Sequence, residues 1–334
     1  MVTIALAGDT MLGRNVGRRL LLEPGAELFS AGVVDVAREA DLLVVNLECA
    51  VSDRGRKWVS PDKLFFFRAP PVAVEHLVRL GVGCVTLANN HALDYGPEAL
   101  LDTLDHLRSA GVAVVGAGAD LTAARAPALL DAAGVRVGVV GVTDHPADFA
   151  AGPGRPGVAY ADLRKGVPPW LLGTVRGVEA DVVLVSPHWG PNMVADPVRH
   201  VRAAAHGIRE AGATLVAGHS AHVFHGVQDH VLFDLGDFVD DYASHRHLHN
   251  ELGLLFLVTV EQGRPVRLEA VPLALDYCHT RLANPDEARW VGDRFRSACA
   301  QLGTDVTERR GRLVITWDPP GPLGPREAQT QPAR

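Results

Sequence analysis

The chain has 334 residues, of which 47% are hydrophobic and 21% are charged, and this balance is typical of a folded protein with a large core. The formal net charge is -7 and no stretch is densely basic, which argues against nucleic acid as a partner. The four cysteines are scattered without a Cys-x-x-Cys spacing, so they predict neither a zinc ribbon nor a disulfide framework.

The N-terminal stretch MVTIALAGDTMLGR has no basic leader, and Gly8 and Asp9 interrupt its apolar run, so no signal peptide is expected. The longest later apolar run, at 252–260, is far shorter than the roughly 18 residues that a membrane span requires. These features predict a cytoplasmic protein without a membrane span. They do not indicate an oligomeric state.

Short runs rich in Val, Ile and Leu recur along the chain up to residue 218, and they predict buried strands. Segments such as 97–110 and 197–211 have helical spacing, open with Pro and end near Gly. Strands that alternate with helices predict an α/β fold with a largely parallel sheet. The predicted strands, in chain order, are 2–8, 41–48, 83–90, 112–118, 135–143, 181–190 and 213–218.

Three later regions differ from this pattern in composition and in predicted structure. The segment 144–169 is dense in Pro and Gly, which predicts a long surface loop that could also divide the chain into halves. Beyond residue 218, apolar segments with Gly-containing turns predict hairpins, either in a second sheet or as an antiparallel extension. A single domain is predicted over 1–318, followed by a disordered tail at 319–334 that has almost no apolar residues.

Polar side chains with metal-binding chemistry follow one predicted strand after another. Asp9 follows the first strand, Glu48 the second, and Asn90 and His91 the third. The chain leaves the core at the carboxyl ends of parallel strands, so these residues are expected to line a crevice at one edge of the sheet. Later strands add the imidazoles of His188, His219 and His222.

Each of these residues alone also has an ordinary structural explanation. Asp9 could cap the following helix, and Glu48 could be a solvated loop carboxylate. Asn90 could be a turn or cap residue, and His188 could be a hydrogen-bonded, partly buried histidine. Residues with metal-binding side chains occur at five predicted strand ends, and a shared metal centre explains this pattern better than five independent structural roles.

The mixture of donors predicts the kind of ion. Carboxylates, an amide oxygen and imidazoles suit divalent Mn, Fe, Zn or Ni, and the thiolates of a structural zinc site are missing. A carboxylate such as Glu48 can bridge two ions about 3.5–4 Å apart, an arrangement that polarises a phosphoryl oxygen. Catalysis is therefore plausible, and metal binding without catalysis is the alternative.

The chain contains, in order, the motifs AGDTMLGR, VNLECAVS, TLANNHALDYG, SPHWG, AGHSAHVFHGV and FDLGDFVDD. This series, from about Val2 to about Tyr242, resembles the CapA family of poly-γ-glutamate capsule biosynthesis proteins. The resemblance implies the fold of calcineurin-like metallophosphoesterases, a sandwich of two mixed β-sheets flanked by helices in four αββα layers. The region 243–318 matches only loosely.

The resemblance also implies roles for individual residues. His91 would contact the substrate and act as a general acid, with Asp94 as its orienting partner. Arg14, one turn beyond Asp9, could clamp a substrate oxyanion, and a solvent-facing helix arginine is the alternative. The implied metal ligands are Asp9, Glu48 in the bridging position, Asn90, His188, His219 and His222.

Two departures from the phosphoesterase pattern bear on the number of ions. Met11 stands where those enzymes usually carry a histidine. His219 and His222 are three positions apart, whereas the usual spacing of that histidine pair is two. One tightly held ion and at most one weaker ion are therefore expected.

The sequence leaves three functions open. The first is a metal-dependent hydrolase of phosphoester or γ-glutamyl amide bonds, with a small-molecule or polyglutamate-like anion as substrate. The second is a non-catalytic accessory protein that binds a carboxylate-rich polymer in capsule assembly. The third is a structural scaffold with vestigial motifs. The donor pattern favours the hydrolase.

Overall fold

A computed structural model describes residues 1–23, 25–60 and 63–317. The predicted tail at 319–334 lies outside these described residues. None of the helices in the described ranges is long and apolar enough to cross a membrane. The helices are α1 (Arg14–Leu22), α2 (Ala31–Ala37), α3 (Ala73–Leu80), α4 (Gly96–Ser109), α5 (Leu121–Arg125), α6 (Pro169–Gly177), α7 (Arg199–Glu210) and α8 (Pro285–Ala300).

Strands alternate with these helices over most of the chain. The first ten are β1 (Val2–Thr10), β2 (Leu42–Leu47), β3 (Ala50–Val51), β4 (Arg68–Ala69), β5 (Val82–Thr86), β6 (Ala113–Val115), β7 (Ala117–Gly118), β8 (Ala128–Ala132), β9 (Val135–Thr143) and β10 (Gly157–Val158). The next ten are β11 (Val182–His188), β12 (Leu215–Ala217), β13 (Val227–Gln228), β14 (Val231–Leu232), β15 (Asp237–Val239), β16 (Leu252–Glu261), β17 (Arg264–Asp276), β18 (His279–Leu282), β19 (Thr307–Arg309) and β20 (Arg312–Thr316).

Two mixed sheets form the centre of the fold. The first has the order β19-β20-β17-β16-β1-β2-β5-β6, with β15 alongside β1 and β18 alongside β17. Its strands β1, β2, β5 and β6 are parallel, while β16, β17 and β20 extend it in antiparallel fashion. The second sheet has the order β13-β14-β12-β11-β9-β8. The predicted antiparallel extension is therefore confirmed, and the predicted parallel strands divide between two sheets.

Side-chain alternation along β1 shows how the layers arise. Ala5 and Ala7 belong to a hydrophobic cluster shared with α1 to α4, whereas Ile4 and Leu6 belong to a cluster shared with the second sheet. Both faces of β1 are thus buried, as expected for a central strand with period-two alternation. The outer face of the second sheet packs against α6 and α7. The result is the predicted four-layer αββα sandwich of two mixed sheets flanked by helices.

The segment 144–169 differs from the predicted surface loop. It contains β10, which pairs with β7, and it buries the side chains of Phe149, Val158 and Leu163. The Pro and Gly residues supply turns between these apolar side chains, which return the segment to the core. The chain passes from the first sheet to the second between β6 and β8, so this segment does not divide it into halves.

Gly8 permits a close approach between β1 and the chain before β15. A Cβ atom added at Gly8 would lie 1.8 Å from the carbonyl oxygen of Gly236, the same oxygen that accepts a 2.9 Å hydrogen bond from the Asp9 N–H. We expect Gly8→Ala to lower the free energy of unfolding by about 1–3 kcal/mol, because backbone atoms must move to admit the methyl group.

Gly173→Ala is the matched control for Gly8→Ala, because no heavy atom lies within 4 Å of a Cβ added at this position in α6. The helix propensity of alanine should raise the free energy of unfolding of this variant by about 0.5–1 kcal/mol. Chemical denaturation measures both variants. Equal effects in the two would contradict the close approach at Gly8.

Candidate metal centre

The register of the strands brings the predicted site residues together. Asp9, near the end of β1, is the register partner of Asp237 on β15 and of Asn46 on β2. In the second sheet His188 ends β11 and forms a bridge with His219, which follows β12. The site therefore lies where the carboxyl ends of both sheets meet, whereas the sequence predicted the edge of one sheet.

Two groups of buried side chains have ligand atoms close enough to hold an ion. In the first group, one ligand atom each from Asp9, His188 and His219 lies within 4.8 Å of the others. Asp9, His222 and Asp237 form a second group under the same limit. Asp9 belongs to both groups, so two ion positions would share its carboxylate.

Several buried atoms in this region have no hydrogen-bond partner within the described residues. An unpaired buried acceptor destabilises a folded protein, so such atoms are rare in ordinary cores. Carboxylate oxygens, an amide oxygen and an imidazole nitrogen are ligands that a divalent cation accepts, so the kinds of donor present fit such an ion. The atoms are both carboxylate oxygens of Glu48, Oδ1 of Asn90, Nε2 of His188 and Oδ2 of Asp237.

The electrostatics of the cluster also suit a cation. Burial, and then the negative charge of Asp9, raise the pKa of the Glu48 carboxyl well above its usual range. A bound cation would reverse this shift, because it stabilises the charged carboxylate. Burial, followed by the neighbouring His219, lowers the pKa of His188. His188 is thus held as the neutral imidazole, the form that coordinates metals.

Hydrogen bonds hold the carboxylates of the cluster in place. Nδ2 of Asn46 donates to Oδ1 of Asp9 at 2.6 Å, and Nδ2 of Asn89 donates to Oδ1 of Asn46 at 2.9 Å. Nδ1 of His222 lies 2.8 Å from Oδ1 of Asp237 and 3.2 Å from Oδ2 of Asp9. These contacts restrict the positions of the carboxylate oxygens, as residues behind a metal site usually do.

A second set of contacts fixes the two imidazoles from the other sheet. Nδ1 of His188 lies 2.8 Å from Nδ1 of His219, and Nε2 of His219 lies 3.1 Å from the hydroxyl of Ser186. Nδ1 of His219 also lies 3.8 Å from Oδ1 of Asp9, so the two facing Nδ1 atoms lie close to this carboxylate, while Nε2 of His188 has no partner within the described residues.

His91 lies beside the cluster with one ring nitrogen engaged. Its Nδ1 is 2.6 Å from Oδ2 of Asp94, and its Nε2 is 3.9 Å from Oε1 of Glu48. Burial lowers the pKa of His91 to about 4, although the Asp94 carboxylate opposes this shift. Because Nδ1 faces Asp94, Nε2 is the nitrogen turned toward the carboxylate cluster.

One segment of the chain holds the His91–Asp94 pair from outside. Nζ of Lys63 lies 2.8 Å from Oδ1 of Asp94 and donates to the carbonyl oxygen of Asn90 at 2.7 Å. The N–H of Phe67 donates to Oδ2 of Asp94 at 2.6 Å, and its ring stacks on His91 with centroids 3.8 Å apart. Lys63 and Phe67 thus restrict both the carboxylate and the imidazole.

An open cleft of about 300 Å³ adjoins the cluster. Arg14 lies in it with 34% of its side chain exposed, and its Nε is 3.3 Å from Oδ1 of Asp241. Arg14 is an exposed residue whose guanidinium pairs with Asp241 at the cleft, and its contact with a substrate remains a prediction. The lining includes Arg14, Phe65, Phe67, His91, His222 and Tyr242.

The helix ends exclude a cap role for Asp9 and for Asn90, although Asn90 does lie in the turn at 90–95. The N-cap of α1 is Gly13 and that of α4 is Tyr95, so neither Asp9 nor Asn90 serves as a helix cap. Glu48 is fully buried rather than solvated.

Sequence reasoning missed three residues of the site. Asp237 lies within the motif FDLGDFVDD, and its place three residues after another aspartate was an available signal. Lys63 is one of three lysines in the chain, yet nothing in its neighbourhood indicates a contact with Asp94. Tyr242 follows the same acidic motif, and only the folded structure turns it into the cleft.

The fold and site define an α/β sandwich protein with a buried cluster that fits a divalent metal. The chain belongs to the family described as bacterial capsule synthesis protein PGA_cap, whose profile matches residues 3–242. The family membership predicted from the six motifs is thereby confirmed.

Individual relatives agree with this membership. The chain is 30% identical over 369 residues to the probable polyglutamine synthesis accessory protein of Mycobacterium tuberculosis, covering 94% of this chain and 95% of that protein. It is 29% identical over 247 residues to the PGA biosynthesis protein CapA of Bacillus subtilis, covering 72% of this chain and 64% of that protein. Among solved structures, a hypothetical protein from Thermus thermophilus matches with a TM-score of 0.48 at 16% identity, covering 81% of this chain and 98% of that chain.

The Glu48→Gln variant tests two effects of the Glu48 carboxylate: this group should destabilise the metal-free protein, and it should strengthen metal binding. Without metal, we expect this variant to raise the free energy of unfolding by about 1–2 kcal/mol, because it removes a carboxyl group that must take up a proton on folding or stay charged in a buried site beside Asp9. With saturating Mn²⁺ the wild type should be the more stable of the two proteins, since a neutral amide is a weaker metal ligand than a carboxylate. Denaturation in EDTA and in Mn²⁺ measures both differences.

Glu98→Gln is the control for Glu48→Gln, because Glu98 is an exposed carboxylate paired with Arg54. The difference in unfolding free energy between this variant and the wild type should be the same in EDTA and in Mn²⁺. A Glu48→Gln variant that is equally destabilised in EDTA and in Mn²⁺ would show that protein groups, and not a cation, stabilise the Glu48 carboxylate.

Proposed function

We propose that the protein is a metal-dependent hydrolase of the metallophosphoesterase type, acting on an anionic substrate in poly-γ-glutamate or capsule metabolism. The observation that carries this proposal is the set of buried, unpartnered donor atoms of Glu48, Asn90 and His188 beside an open cleft. A structural polar cluster would satisfy its own acceptors. The family membership supports the proposed setting.

In this proposal one tightly held ion lies among Asp9, His188 and His219. Asp9, His222 and Asp237 would hold a weaker second ion, and the unpartnered oxygens of Glu48 and Asn90 would add further ligands, with Glu48 in the bridging role that the family resemblance implies. When bound, the metal polarises a phosphoryl or carbonyl oxygen of the substrate and supplies a nucleophile near neutral pH.

Met11 supports the expectation of one tight and one weak ion. Its side chain is fully buried, and its sulfur accepts a 3.1 Å contact from the N–H of Gly13. A thioether engaged in this way is a poor substitute for the imidazole that other phosphoesterases place two residues after the first aspartate.

His91 is the proposed proton donor to the leaving group. Asp94 accepts a hydrogen bond from Nδ1 and keeps the other nitrogen, Nε2, turned toward the reacting centre. Lys63 holds Asp94 in turn. In the neutral imidazole Nδ1 carries the proton, so Nε2 first takes up a proton from the attacking water and then passes it to the alkoxide or amine that leaves, the contribution expected of a positioned proton-transfer group.

Arg14 is the proposed contact for the anionic part of the substrate. Its guanidinium carbon lies 5.9 Å from the ring centroid of Phe67 and 6.0 Å from that of Tyr242, so two aromatic faces help to fix its position. An arginine held in this way presents its terminal N–H groups to a carboxylate or a phosphoryl group.

A non-catalytic accessory protein is the second candidate. The observation that favours it is the similarity to a probable polyglutamine synthesis accessory protein over 94% of this chain. A metal and Arg14 could bind a carboxylate-rich polymer without cleaving it. Turnover separates the two candidates.

The decisive experiment is a substrate panel with the protein loaded separately with Mn²⁺, Zn²⁺, Fe²⁺ or Ni²⁺. The panel contains phosphate monoesters, phosphate diesters and γ-glutamyl amides. The hydrolase proposal expects metal-dependent turnover of at least one class. Tight binding of polyglutamate without turnover of any class would establish the accessory function instead.

Two histidine variants test the division of roles. His91→Ala should keep the metal, while its turnover rate should fall by a factor of roughly 10²–10⁴, the usual contribution of a general acid. His222→Ala should lose activity together with the weaker ion, because a methyl group cannot replace an imidazole ligand. Metal analysis and steady-state kinetics on the same preparations measure both quantities.

His206→Ala, on the surface of α7 with its side chain 76% exposed, is the matched control and should change neither quantity. If His91→Ala and His222→Ala lose metal equally, His91 is a ligand and its assignment as general acid is wrong.

A further inference from the structure

Tyr242 lies at the boundary between the carboxylate cluster and the cleft. It lines the cleft, and its ring centroid is 5.8 Å from that of Phe67 and 5.4 Å from that of His222. The guanidinium of Arg14 lies over the same ring, 6.0 Å from its centroid. The ring is therefore held on three sides by residues of the candidate site.

The hydroxyl of Tyr242 is buried and has no hydrogen-bond partner within the described ranges. A phenol loses its proton only at about pH 10, so this hydroxyl keeps its proton at neutral pH and has a hydrogen bond to donate. The backbone N–H of Tyr242 donates to Oδ1 of Asp240 at 2.7 Å, which fixes the chain at this point.

The described residues alone give no reason for this hydroxyl. A buried donor without a partner destabilises the folded state, and phenylalanine would make the same ring contacts without that penalty. An acceptor that arrives with a ligand accounts for it. In the metal-loaded protein the carboxylates of the cluster would coordinate the metal. The acceptor for the Tyr242 hydroxyl would then be an anion bound in the cleft.

Arg14 is prepared for the same anion. Its Nε faces Asp241, and Oδ2 of Asp241 is held by the N–H and the side-chain amide of Asn15 at 3.1 and 2.7 Å. The two terminal nitrogens of Arg14 remain for a ligand in the cleft. Arg14 and Tyr242 thus supply a charged and a neutral donor on the same side of the cleft.

We propose that the Tyr242 hydroxyl donates a hydrogen bond to an oxyanion bound in the cleft, together with Arg14. The ligand class is a tetrahedral oxyanion, namely inorganic phosphate, a phosphoryl group, or the tetrahedral state of an attacked amide. The identity of the reacting group rests on the proposed function, but binding of the anion needs no turnover.

Tyr242→Phe in the Mn²⁺-loaded protein tests this proposal, with inorganic phosphate as the probe. We expect the Kd for phosphate, measured by calorimetry, to rise about 10- to 100-fold, the effect of losing a hydrogen bond to a charged group. The metal content should stay unchanged. The metal-free variant should unfold at a denaturant concentration equal to or above that of the wild type, because an unpaired buried hydroxyl is removed.

Tyr277→Phe is the matched control, since Tyr277 is 67% exposed, and it should alter none of these quantities. Unchanged phosphate affinity in Tyr242→Phe, or a loss of stability without metal, would overturn the proposal. Failure of the wild type to bind phosphate would overturn it as well. If no substrate is turned over but phosphate binding depends on Tyr242, the hydrolase proposal fails while this inference stands.

Discussion

The constraint on which the site depends is the burial of several carboxylates in one small volume. Asp9, Glu48 and Asp237 are all almost inaccessible to solvent, and no lysine or arginine pairs with any of them within the described residues. Such a cluster is unfavourable unless positive charge enters it. His222 supplies part of that charge, because the effect of burial on its pKa is outweighed by the carboxylates of Asp237 and Glu48, which raise this pKa well above the usual value. A bound cation would supply the rest.

Backbone pairing decides where these carboxylates meet. The parallel ladder between β1 and β15 places Asp9 opposite Asp237, and the bridge between His188 and His219 supplies imidazoles from the second sheet. Gly8 is part of the same arrangement, because only a residue without a side chain lets β1 approach Gly236 so closely. The positions of the candidate ligand atoms therefore depend on the strand register, and a shift of one strand would separate these atoms.

Much of this could be predicted from the sequence, because period-two apolar runs mark strands and polar residues at their ends mark the crevice. Asp9, Glu48, His188 and His222 were found in this way, although their roles remain predictions. The partition of the strands between two sheets was available only through the family resemblance, since a local pattern does not specify which strands pair. The positions of Lys63, Asp237 and Tyr242 depend on long-range contacts that no local pattern reports.

Metal content is the quantity that tests the account most directly. Mass-spectrometric metal analysis of the purified protein, after dialysis against a mild chelator, should find close to one divalent ion per chain, and a second only when metal is supplied in excess. Asp9→Asn should retain much less than one, because Asp9 contributes to both candidate positions. A wild-type protein that holds no ion under any loading condition, or an Asp9→Asn variant that holds as much as the wild type, would contradict a metal centre built on Asp9.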